Sequence, residues 1–171
     1  MRLKKFVLIV FLFCPLFLTF TSCKRHDDLT FIQKALSDTV RAAEKKDKDK
    51  VLRVLDDDYQ DFQNRDVRAT SELLDYYFKH YSGIVIHLLQ VEIVPEQAMA
   101  EVRADVLLSS GPLEILRKTI GLVGSFYRFE FKMAKRSTGW KITHARWQEV
   151  EQDCLLPGSK VILKKLFPDL F

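Results

Sequence analysis

Three cysteines in 171 residues are too few to build a disulfide framework. Cys14 lies in an apolar leader and Cys23 at its end, so Cys154 has no intramolecular partner and the fold must rest on its core. Cys154 itself reads as a small buried apolar residue. The four histidines never fall in an HxH or HExxH spacing, which argues against zinc. Asp56-Asp57-Asp58-Tyr59-Gln60-Asp61 lacks the glycine and distal glutamate of a calcium loop. There is no GxSxG, phosphate-binding glycine loop or dinucleotide fingerprint. No metal and no cofactor is therefore expected. Excess charge is missing too: Arg2, Lys4 and Lys5 belong to the leader, and the remaining 24 basic residues face 23 acidic ones. Nucleic-acid binding, which needs clustered positive charge, is not expected.

What is present begins at the amino terminus. Met1 to Lys5 carries three positive charges, Phe6 to Phe20 carries none, and Thr21-Ser22-Cys23 follows. The apolar run reaches only about 23 Å as a helix, short of the roughly 30 Å hydrocarbon core. Phe20-Thr21-Ser22-Cys23 resembles the bacterial lipoprotein box, in which a small residue precedes a lipidated cysteine, with Phe20 where that family prefers an aliphatic. The reading is a signal peptide over 1–22, lipidation at Cys23 and a tether over 23–28, placing the protein in the cell envelope. The anchor would sit in the outer membrane or on the outer face of the inner membrane, held by acyl chains such as palmitate. Five extended residues, Lys24 to Asp28, would span about 17 Å. An uncleaved anchor or a fully secreted chain are the alternatives.

Leu29, Ile32, Leu36, Val40 and Ala43 predict a first helix. Val51, Leu52, Leu55, Tyr59 and Phe62 predict a second, capped by Asp47 or Asp49. A third carries Leu73, Leu74, Tyr77, Phe78 and Tyr81 after a Thr70 cap and ends at Gly83. The period then becomes two. Strands are expected over 84–94 and 97–109 around a Pro95-Glu96 turn, and over 125–136 and 140–150 around Ser137-Thr138-Gly139. Residues 110–123 form a longer connection with room for a short helix. Leu155 to Phe171 is unusually apolar for a terminus. It reads as a tail docked on the domain, or, with Lys160, Lys164 and Lys165, as a basic amphipathic stretch beside a bilayer.

This order of elements is similar to the nuclear transport factor 2-like (ketosteroid isomerase-like, cystatin-like) superfamily. Ala42 to Leu55 leading into Asp58-Tyr59-Gln60-Asp61, and the closing strand Gly139-Trp140-Lys141-Ile142, carry the resemblance over residues 29–151. It implies an α+β fold: three N-terminal helices packed on a strongly bent four-stranded antiparallel sheet, a cone-like roll whose mouth often takes a small apolar ligand. The superfamily includes isomerases, dehydratases and many non-catalytic binding or assembly domains, so fold does not choose among them.

Isomerase chemistry of that kind needs a carboxylate base and acidic hydrogen-bond donors in an apolar pocket, for which Tyr59, Asp61, Tyr127 and Asp105 are the right types. Dehydratase chemistry would pair His144 or His87 with a carboxylate. His144 faces inward if Trp140 and Ile142 do. Arg103 and Arg146 could recognise an anion. The ligand-binding set expected is Tyr59, Arg103, Tyr127, Trp140 and His144. The weaker catalytic candidates are His144, His87, Asp61 and Tyr59. The sequence favours an envelope lipoprotein that binds a small apolar ligand, an envelope protein or a second copy of itself without catalysis. The alternatives are an isomerase or dehydratase using those residues, and an assembly or secretion-system scaffold with an uncleaved anchor.

Overall fold

A computed structural model describes residues 20–111 and 124–168, with side chains from Asp27 onward. The leader before Phe20 and the connection 112–123 lie outside the described residues. The elements run α1 (Phe20–Glu44), α2 (Lys48–Leu52), β1 (Leu55–Asp61), α3 (Val67–His80), β2 (Ile84–Glu96), β3 (Met99–Ser110), β4 (Ser125–Arg136) and β5 (Gly139–Glu149). A 3-10 turn (Gln152–Cys154) and α4 (Pro157–Leu166) close the chain. The sheet has five strands in the order β1-β5-β4-β3-β2, with β1 parallel to β5 and the other pairs antiparallel. The fold is α+β as expected, but the sheet is mixed and larger by one strand.

That fifth strand corrects the second helix. Lys46 takes a left-handed φ of 57°, Asp47 caps α2 by accepting from the Lys50 N–H, and the helix stops after Leu52. Three aspartates in a row are poor helix formers and would oppose the helix dipole at a C-terminus. Leu55–Asp61 instead becomes β1, hydrogen-bonding along β5 through Ile142 N–H to the Val54 carbonyl and Phe62 N–H to the Ala145 carbonyl. Smaller corrections follow the same logic. Asp66, not Thr70, caps α3, accepting the Ala69 N–H at 2.8 Å. The β2–β3 turn sits at Gln97-Ala98, where Gln97 has a φ of 49°, and Pro95 remains in the strand. The backbone of residues 20–26 continues α1, so Lys24 to Asp28 is helical and rises about 7.5 Å rather than the extended span.

The sheet is covered on both faces. On the inner face, Ile32, Leu36, Tyr59, Val102, Met133, Trp140 and Ile142 form one buried cluster. Trp140 Nε1 donates to Asp28 Oδ1 at 3.2 Å, and Lys135 pairs with the same carboxylate, which ties α1 to the β4–β5 hairpin. On the outer face, Val85, Leu89 and Leu107 pack against Leu155 and Leu163 of the tail. Gly158 passes so close that an added Cβ would lie 2.6 Å from Gln90 Oε1, which accepts the Gly158 N–H. Cys154 is exposed, against the expectation of burial, because the tail turns toward the sheet only at Leu155. Among the described residues, every clustered core residue lies between Ile32 and Phe167, so residues 24–171 retain both clusters and are expected to fold without the leader.

Candidate functional site

At the end of the roll away from Trp140, helix and sheet do not close on each other. They enclose a cavity of about 630 Å³. Its floor is the inner face of the strands: Ile86 and Leu88 of β2, Ala104, Val106 and Leu108 of β3, Tyr127, Phe129 and Phe131 of β4, and Ala145 and Trp147 of β5. Alternation places these side chains together, since residues two apart share one face of a strand. The walls are Leu36, Thr39 and Val40 of α1 with Tyr59 of β1; the roof is Thr70, Leu73, Leu74, Tyr77 and Phe78 of α3. Although strongly amphipathic, α3 has no buried residue. Its apolar stripe faces a cavity and not a packed core.

The roof is pinned at both ends. At its start Asp61, 1% exposed, accepts the N–H groups of Gln63 and Arg65 and pairs with Arg65 Nε at 2.6 Å. Burial alone would raise the Asp61 pKa. The Arg65 backbone and guanidinium and the Gln63 N–H outweigh it and hold the carboxyl below its ordinary value. At the far end the Lys46 ammonium donates to the carbonyls of Phe78 and Tyr81, and Lys48 pairs with Asp75 at 2.7 Å. Lys46 went unnoticed in the sequence, where it reads as part of a solvated charged junction.

Two of the expected site residues line the cavity, Tyr59 in its wall and Tyr127 in its floor. Tyr59 is 3% exposed, and burial, reinforced by the Asp61 carboxylate, pushes its phenol up to about 12. Tyr127 is raised by burial and then by Glu149. Both stay neutral at pH 7 and can donate a hydrogen bond. Because Tyr59 ionises less readily folded than unfolded, its stability contribution is complete below pH 10 and is lost as pH rises through about 12. Tyr59→Phe is expected to melt with a smaller loss over that interval, read as melting temperature against pH.

The other expected site residues lie elsewhere. A bulge in β5 pairs His144 with Lys132 and Ile142 with Met133, leaving Thr143 as the extra residue. The bulge reverses the alternation, so Ala145 and Trp147 enter the cavity and His144 lies on the outer face with Lys132. His87 also points outward, its ring 5.9 Å from Phe167 of the tail. Arg103 and Arg146 stand in an outer-face ladder with Glu92 and Glu130. Trp140 plugs the narrow end and lines a more open, charged cleft of about 640 Å³ beside α1. Asp105 is 0% exposed on the outer face, bound to Arg128 and the tail. The aromatic floor, with Phe129, Phe131 and Trp147, is a part of the site that the expected ligand-binding set did not include.

No protein-family model matches the chain, and no curated protein matches its sequence. Solved structures do match. A candidate scytalone dehydratase from Novosphingobium aromaticivorans superposes with a TM-score of 0.64 at 12% identity, over 80% of this chain and 94% of that one. A nuclear transport factor 2-like protein of unknown function from Pseudomonas putida gives 0.58 at 14%, over 74% and 94%. The fold is nuclear transport factor 2-like. Bd1075 of Bdellovibrio bacteriovorus also matches, with a TM-score of 0.60 at 18% identity; this chain covers 42% of its length. At these identities the likeness is one of fold, and function must be read from the cavity.

Proposed function

We propose that this chain is an envelope lipoprotein whose nuclear transport factor 2-like domain holds a small apolar ligand in the cavity beneath α3, without a catalytic step. One observation carries the binding reading. Among the described residues, the cavity is lined by apolar side chains, hydroxyls and the Trp147 indole, with no charged side chain, and both histidines proposed for acid–base work lie outside it. Candidate dehydratases share the fold, but among the described residues no histidine lines this cavity to pair with a carboxylate. A compound that saturates the cavity is expected to be recovered unaltered after prolonged incubation, and His144→Ala and His87→Ala leave its affinity unchanged. Conversion to a product, lost in either variant, would establish the enzyme instead.

The anchor is a separate part of the proposal and rests on the lipobox-like sequence ending in Cys23. With α1 continuing through Cys23, the acyl chains would join the domain through a helix and hold it against the bilayer. Cys23→Ser is expected to release the protein from the membrane fraction and abolish the mobility shift of the acylated form. Unchanged attachment would point to an uncleaved anchor.

A further inference from the structure

We infer that the cavity selects uncharged aromatic ligands over their anionic counterparts; this deepens, and rests on, the ligand-binding reading above. Among the described residues, no charged side chain lines the cavity, and the ionised groups behind the lining are mostly held by the protein. Glu44 Oε1 accepts the Ile86 N–H at 3.0 Å, Lys46 holds the end of the roof, and Lys48 pairs with Asp75. Arg65 lies over the Trp147 ring and pairs through Nε with Asp61, while its Nη2 is buried without a partner. The polar side chains that line the cavity are neutral, among them the hydroxyl-bearing Tyr59, Ser125 and Tyr127. A neutral hydroxyl or carbonyl finds a hydrogen-bond partner among them. A sulfonate or carboxylate would shed its water and meet no cation among the described side chains that line the cavity.

Ring geometry gives the aromatic preference. The Phe129 ring lies 5.7 Å from Phe131 at 21° and 5.9 Å from Trp147 at 27°. Phe129 is thus nearly parallel to a ring on either side, so a flat ligand aligned with it matches the orientation of the aromatic floor. A flexible alkyl chain gains no such alignment and must be ordered on binding.

The matched dyes N-phenyl-1-naphthylamine and 8-anilino-1-naphthalenesulfonate share a ring skeleton and differ by one sulfonate. Titrated into residues 24–171, the neutral dye is expected to saturate one site with a Kd at least tenfold below that of the sulfonate. Thr39 lines the α1 wall and spends its hydroxyl on the Ala35 carbonyl. Thr39→Arg supplies the missing cation and should shift the ratio at least tenfold toward the sulfonate. If that variant fails to fold, the wild-type ratio still decides. Equal or tighter sulfonate binding at one site overturns the charge selectivity while leaving the cavity a binding site. Saturable binding of neither dye overturns both readings.

Discussion

Asp105→Ala is expected to lower the melting temperature of the domain by about 10 °C, the largest effect of any single truncation outside the apolar core. Asp105 accepts from Arg128 Nε at 2.8 Å and Nη2 at 3.3 Å, from Leu156 N–H at 2.6 Å and from Ser159 Oγ at 2.9 Å. Its two oxygens are thus satisfied by strand β4 and by two points of the tail. Removing the carboxylate leaves the Arg128 guanidinium, whose side chain is 18% exposed, with the Cys154 carbonyl but no counter-charge, and leaves a buried N–H and a buried hydroxyl without their acceptor. Losing one partner of a buried pair costs about 3–5 kcal/mol. For a domain of this size each kcal/mol moves the melting temperature by roughly 2–4 °C. Arg128→Met added to Asp105→Leu should recover part of the loss, because the orphaned charge is gone. Deleting residues 155–171 should make the Asp105 effect much smaller. A fall under about 2 °C for Asp105→Ala would show that the tail is held by its apolar contacts alone.

Val106→Trp is expected to abolish ligand binding, by at least 100-fold, while the melting temperature stays within about 3 °C of the parent. Val106 sits in the middle of the cavity floor, opposite Tyr127 on β4 and Leu88 on β2. An indole there projects beneath α3 into space that side chains leave empty. Overpacking costs about 1–3 kcal/mol where a core is already filled. Here the new ring is expected to gain contacts with side chains that line the cavity, so the two terms roughly offset. A 100-fold loss corresponds to about 2.7 kcal/mol of binding free energy. Binding that survives the substitution, measured by dye titration, would place the ligand somewhere other than this cavity.

How much of this was legible in the sequence depends on how local each signal is. Alternation in Tyr127, Phe129 and Phe131 is a property of one strand that can be read without knowing its neighbours, and the three rings share the cavity floor. The hairpin at Ser137-Thr138-Gly139 was equally local: Gly139 takes a φ of 116°, which glycine adopts without strain. β1 was misread because Leu55, Tyr59 and Phe62 fit a helical stripe. What makes it a strand is long-range pairing with β5 and the burial of Asp56 against Arg136, 80 positions away. Placing His144 required knowing of the bulge after Ile142, and a one-residue slip inverts every later side chain. Asp105 looked like an ordinary polar position in an alternating strand. Its role depends on Ser159 and Leu156, more than fifty residues downstream, and on no periodicity at all.

Native mass spectrometry of residues 24–171, purified without detergent from a bacterial host, tests the central claim most directly. A bound species is expected at one per domain, lost upon Val106→Trp and recovered as a neutral, ring-bearing compound on organic extraction. A bare polypeptide mass, combined with no saturable uptake of N-phenyl-1-naphthylamine, would contradict the cavity as a ligand site.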